Sequence, residues 1–182
     1  ADFDVLTNLW NKDKFYKETR KLLDNNPEVN FVIMVSDIEH FKVINDQFGV
    51  ETGDDLLKYI AKDISCCPID ENLTTVGYLE ADHFVFCFPK NEKKFEQWYD
   101  RFMQYIENFA LDFKIVFYFG LYVIDDLTVD VSKMCDRARM AVRSIKGDYL
   151  KHYTYYDSTE FKRLLEEQEI INQMNSALAN KE

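Results

Sequence analysis

No apolar run in this sequence approaches the roughly 20 residues of a membrane span, and no signal peptide opens it. Positive charge is short as well. Against 33 acidic residues stand 22 lysines and arginines, a net charge of −11. That balance argues against nonspecific binding to nucleic acid or to an anionic membrane, both of which attract basic surfaces. It does not argue against a nucleotide held through a metal ion, because one local site can oppose the overall field. Metal-ligand spacing is absent too. The four cysteines are Cys66, Cys67, Cys87 and Cys135, of which only the first two adjoin. His40, His83 and His152 form no HxxxH pair. The pattern offers no zinc site and reads as free, buried or partly buried thiols in a reducing cytoplasm.

What is present is a core-forming composition. Of 182 residues, 47% are hydrophobic and 15% aromatic, enough for one packed domain rather than a disordered chain. The N-terminal alanine fits a segment cut from a longer protein. Asn11 is placed to cap a helix running to about residue 24, which Asn25-Asn26-Pro27 ends. Residues 31–37, FVIMVSD, form a continuous apolar run suited to a strand buried on both faces. Short helices follow over 41–47 and 53–65, the second with Leu56, Leu57, Ile60 and Ile64 at helical spacing. Next come hairpin strands at 76–79 and 84–88, a helix over 92–109, a strand at 113–124, a helix at 131–146 and a strand at 152–157. The expected architecture is α/β (α+β): a mixed central sheet of about five strands flanked by helices, with two strands adjoining as a hairpin. Residues 1–157 form the domain. Residues 158–182 form a charged helical tail with Leu164, Ile171 and Leu178 seven apart, a heptad interrupted by Gln168 and Asn175.

The hairpin turn is Glu80-Ala81-Asp82-His83. Tight turns favour Gly, Asn or Asp where φ is positive, so Glu and Ala are poor choices there. Asp37 stands where the buried strand meets solvent, the usual place for a site in an open α/β sheet. If the strand ends adjoin, Asp37 and Asp82 offer two carboxylates to a divalent ion that also holds a phosphate. Either aspartate alone reads as a solvated turn or cap.

Taken together, these blocks resemble the GGDEF family of diguanylate cyclases. DVLTNLWNKDKF resembles the family's D-x-LTGL-x-NR-x-x-F, and SDIEHFKVINDQFGVETGDDLL resembles D-I-D-x-FK-x-IND-x-x-GH-x-x-GD-x-x-L. CDRARMAVRSIKG resembles the late helix AD-x-ALY-x-AK-x-x-G. YLEADHFVFCFP falls at the signature hairpin, with Glu80, Ala81, Asp82, His83 and Phe84 over G-G-D-E-F. The resemblance implies a nucleotidyl-cyclase fold. It also implies condensation of two GTP into cyclic di-GMP by a dimer, each domain holding one GTP with Mg²⁺. By that resemblance Asn45 and Asp54 read the guanine edge, Asp37 and Asp82 hold metal, and Lys42 and Arg143 face phosphate.

Departures from the pattern point to a degenerate member. Glu80 brings negative charge toward the place of a triphosphate, and like charges ~4 Å apart repel by about 1 kcal/mol even in water. Ala81 carries a β-carbon that penalises left-handed backbone by roughly 1–2 kcal/mol, which favours relaxation of the turn to another shape. His83 replaces an acid. The family's inhibitory RxxD site is replaced by Glu71-Asn72-Leu73-Thr74. The tail resembles the junction to an EAL phosphodiesterase domain. Three readings follow: a silent regulatory module that binds GTP, an active cyclase with a variant motif, and a structural dimerisation module without nucleotide.

Overall fold

In the computed structural model, which describes residues 1–66 and 69–181, the elements alternate around a single sheet. The helices are α1 (Lys12–Asn25), α2 (Phe41–Phe48), α3 (Val50–Ile64), α4 (Glu92–Glu107), α5 (Val131–Ile145) and α6 (Ser158–Ala179). The strands are β1 (Phe31–Ile38), β2 (Thr75–Glu80), β3 (His83–Pro89), β4 (Phe117–Val123) and β5 (Tyr153–Tyr155). They lie in the order β2-β3-β1-β4-β5, antiparallel throughout except for the parallel β4–β5 pair. The mixed five-stranded sheet expected from the sequence is therefore the sheet observed.

β1 lies at the centre and is buried along its whole length. Its side chains alternate between two cores, as the pleat requires. Val32 and Met34 face the core shared with Leu56, Leu57 and Ile60 of α3 and with Phe95, Trp98 and Phe102 of α4. Phe31, Ile33 and Val35 face Phe15 and Leu23 of α1 and Met134, Cys135 and Ala138 of α5. The first core is rich in aromatics: Trp98 and Phe102 stack with ring centroids 5.0 Å apart, and both meet Phe119 edge-on. At α1, the Asn11 side chain accepts the Lys14 N–H as anticipated.

Several boundaries differ from the sequence expectation. β4 begins at Phe117 rather than residue 113, because β1 ends at Ile38, the partner of Phe117, and leaves the preceding residues no strand to pair with. Phe113 instead packs edge-on against Phe48, centroids 6.0 Å apart. α3 starts at Val50, directly after Gly49, whose φ of +91° turns the chain out of α2. Cys87 and Cys135 are buried and free, and burial pushes both thiols up; Cys66 is free but exposed, which corrects the expectation for it. Cys67 lies outside the described residues.

Two features set the stage for the site. α5 approaches β4 so closely that a β-carbon on Gly120 would collide with the Ala138 carbonyl and lie 2.7 Å from the Val142 N. That contact lays the Arg139–Lys146 face of α5 beside the end of β1. The tail forms α6, in which no residue is buried. No helix among the described residues is long and apolar enough to cross a membrane.

Candidate nucleotide and metal site

The pairing of β1 with β3 assembles the acidic cluster. Their register runs from Phe31 opposite Pro89 to Val35 opposite Val85, and continuing it two residues sets Asp37 opposite His83. The hairpin turn is then tied to the end of β1 by one short bond: Asp82 Oδ2 accepts the Ile38 N–H at 2.6 Å. Ser36 Oγ accepts the Phe84 N–H at 3.2 Å from the neighbouring position.

Asp37 and Asp82 are both buried. His83 Nε2 lies 3.1 Å from Asp37 Oδ2 and 3.9 Å from Asp82 Oδ1. Lys146 Nζ forms an ion pair with the other oxygen, Asp37 Oδ1, at 3.0 Å. The two carboxyls consequently titrate in opposite directions. Burial alone would raise Asp37, but the contacts of His83 and Lys146 outweigh it and hold the group below the ordinary aspartate value. Burial and then the Asp37 charge push Asp82 up. Burial would lower Lys146, yet its pairing with Asp37 leaves it raised.

The turn has not relaxed, contrary to the sequence expectation. Ala81 keeps a left-handed backbone, φ +51°, in spite of its β-carbon. The Tyr78 hydroxyl donates to the Ala81 carbonyl at 2.6 Å and braces the strained residue. Burial, with Asp4 and Asp82 nearby, pushes that phenol up to about 12, so it remains a donor across the physiological range. Glu80 is exposed and reaches across to Arg139 Nη2 at 3.4 Å. As an exposed pair it adds at most about 1 kcal/mol of stability, but it lays a carboxylate along the rim of the cleft.

That cleft, about 250 Å³, is lined by Val35, Asp37, His83, Arg139, Val142, Arg143 and Lys146. Arg143 is exposed at its edge, in reach of an anion. Lys42 is exposed on α2 and does not line this cleft. Asn45 and Asp54 sit on facing turns of α2 and α3, both half-buried. Gly53 makes room for Asn45: a β-carbon there would collide with the Asn45 Oδ1 and lie 2.9 Å from its Cγ. Asn45 Oδ1 is buried with no hydrogen-bond partner and lies against Gly53, the residue before Asp54. An amide and a carboxylate can meet the N–H donors of a guanine edge.

Sequence reasoning named Asp37 and Asp82 for metal, Asn45 and Asp54 for guanine, and Lys42 and Arg143 for phosphate. Of these, Asp37 and Arg143 line the cleft, Asp82 adjoins it through His83, and Lys42 does not line it. It missed Arg139 and Lys146. For Arg139 the signal was available, because residues 139 and 143 are four apart on one helix face; Lys146 is the extended residue that caps α5 and follows no such spacing. The side chains of Asp37, Asp82 and His83 bring one ligand atom each to within 4.8 Å of one another. Two carboxylate oxygens and an imidazole nitrogen fit a divalent cation.

Two outcomes follow for stability. Ala81→Gly removes a left-handed penalty of roughly 1–2 kcal/mol and loosens the unfolded chain by about 0.5–1, so urea unfolding should report a gain of about 0.5–1 kcal/mol. The aspartates should respond oppositely to pH. Asp82, raised in the folded state, costs stability once ionised, so Asp82→Asn should be more stable than wild type at neutral pH, with the gain shrinking as pH falls through the carboxylate range. Asp37, lowered, stabilises the fold at neutral pH. Asp37→Asn should be less stable there, and the deficit should fade as acid protonates wild-type Asp37. Denaturant unfolding across that pH range measures both.

The sequence and the fold have counterparts among known proteins. The family model described as "Diguanylate cyclase, GGDEF domain" matches residues 1–149. Signaling protein YkoW of Bacillus subtilis is 26% identical over 165 residues, 86% of this chain and 20% of its own length. The probable diguanylate cyclase DgcF of Escherichia coli K12 is 33% identical over 89 residues, 49% of this chain and 27% of its own. The chain thus spans about a quarter or less of these relatives. Among solved structures, the GGDEF domain of DgcB from Caulobacter crescentus, in complex with c-di-GMP, superposes with a TM-score of 0.73 at 21% identity, covering 87% of this chain and 97% of that one. The GGDEF domain of PA1120 (TpbB or YfiN) from Pseudomonas aeruginosa gives 0.71 at 19% identity, covering 90% and 99%. With the family model matched over residues 1–149, the chain belongs to the GGDEF domain family of diguanylate cyclases, the domain of cyclic di-GMP signalling.

Proposed function

We propose that this domain is a catalytically silent GGDEF module that binds GTP with Mg²⁺ and regulates an attached phosphodiesterase domain of the EAL type. The observation that carries the silent half is the pairing at Asp37. One of its oxygens faces His83 and the other Lys146, so the family's metal-holding carboxylate is already compensated from within the chain. His83 also removes the acid of the fourth motif position, which would otherwise serve the metal or a 3′-hydroxyl. Glu80, paired with Arg139, sets negative charge where phosphates would enter and engages a cation that could otherwise meet them.

The binding half rests on the unpartnered Asn45 Oδ1, held against the turn of α3 that carries Gly53 and Asp54, and on Arg143 at the cleft rim. In this reading Asp37 and Asp82 hold the ion that accompanies the nucleotide. Residues 1–157 constitute the module, and α6, with no buried residue, connects it to the next domain. The left-handed turn at Ala81 favours a second reading, an active cyclase with an altered motif, because the hairpin keeps its shape without glycine. Cyclic di-GMP formation that disappears in Asp82→Ala would establish that alternative.

Titration calorimetry with GTP and Mg²⁺ tests the ligand. Heat of binding should appear at millimolar GTP or below and be absent with ATP. Asn45→Ala should weaken affinity about tenfold, the loss of one base-reading bond. No heat with GTP at millimolar concentration would reduce the domain to a scaffold.

A further inference from the structure

We propose that Asp37, Asp82 and His83 form a mixed carboxylate–imidazole site that selects a transition-metal divalent cation, such as Co²⁺ or Ni²⁺, over Mg²⁺. The inference rests on the reading that Asp37 and Asp82 are metal-holding residues, and adds His83 as a ligand of a different kind.

The atoms facing one another are Asp37 Oδ2, Asp82 Oδ1 and His83 Nε2. The imidazole nitrogen lies 3.1 and 3.9 Å from the two oxygens. A cation at the usual bond lengths of about 2.0–2.2 Å sets adjacent ligand atoms roughly 3–3.5 Å apart, so the set, now within 4.8 Å, completes by closing its wider contacts around the ion. Both carboxylates are also supported from behind. Asp37 gives its second oxygen to Lys146 and Asp82 gives its second to the Ile38 N–H. Bonds of this kind orient ligands without occupying the atoms that bind metal. Nε2 donates to the Asp37 carboxylate at 3.1 Å; a cation replaces that proton, which the other ring nitrogen, His83 Nδ1, buried with no partner, is free to take.

Ligand chemistry then decides the cation. Mg²⁺ takes oxygen ligands in near-octahedral geometry and gives up water reluctantly. An imidazole in place of a carboxylate removes one negative charge, which weakens a hard cation most. It supplies a nitrogen that suits first-row transition metals. Lys146 on Asp37 reduces the negative charge further and acts in the same direction.

The test uses the nucleotide-free protein, so that failure to bind GTP cannot be confused with failure to bind metal. Co²⁺ is titrated while its visible absorption is followed, and is then displaced with Mg²⁺. Wild type is compared with His83→Asp, which gives the ratio of an all-oxygen site in the same fold, and with Asp82→Asn. A folding check by circular dichroism accompanies each variant. One Co²⁺ should bind per chain, lost in Asp82→Asn. The preference for Co²⁺ over Mg²⁺ should fall about tenfold or more from wild type to His83→Asp. His40→Ala, whose exposed imidazole pairs with Glu39 and not with the cluster, should leave the ratio unchanged. An unchanged ratio in folded His83→Asp, or no Asp82-dependent Co²⁺ binding in wild type, would overturn the proposal.

Discussion

The bond from the Ile38 N–H to Asp82 is the constraint on which the site depends. It is short, buried and spans 44 residues of sequence, and it fixes the hairpin turn against the end of the central strand. Once that link and the β1–β3 register exist, Asp37, Asp82 and His83 have little freedom to be elsewhere. The cost is electrostatic. Two carboxyls forced together under burial must be compensated, and the compensation comes from His83 and from Lys146 at the end of α5. Asp82, which lacks so direct a cationic partner, carries the remaining cost as a raised pKa.

Compensation by the chain's own cations changes what the site can do. A cleft prepared for a cation and a triphosphate needs uncommitted oxygens on one side and uncommitted positive charge on the other. Here Asp37 is engaged by Lys146, and Arg139 is engaged by Glu80. Neither pair is deeply buried on its cationic side, so each is a modest energetic commitment that an incoming ligand could exchange. Catalysis by phosphoryl transfer, which relies on prearranged charge, is more sensitive to such exchange than binding is.

Much of this was legible in the sequence. The apolar run at 31–37 marked a strand buried on both faces, with Asp37 near its end at the candidate cleft, because period and composition settle those features locally. The hairpin was legible from its two flanking runs. The fate of its turn was not: local propensity argued for relaxation at Ala81, and the Tyr78 hydroxyl together with the Asp82 tie holds the left-handed shape from outside the turn. The length of β4 depended likewise on where β1 stops. Lys146 was hidden for a related reason, since its role arises only from the close approach of α5 to Gly120, a contact between distant segments.

The account is tested most directly by assaying cyclic di-GMP formation from GTP and Mg²⁺ in wild type beside a variant carrying Glu80→Gly, Ala81→Gly and His83→Glu. Restoring the glycines and the acid should free Arg139 and one oxygen of Asp37 together. The prediction is no product from wild type and measurable product from the variant. Wild-type turnover equal to that of the restored variant would contradict the claim that these side chains silence the site.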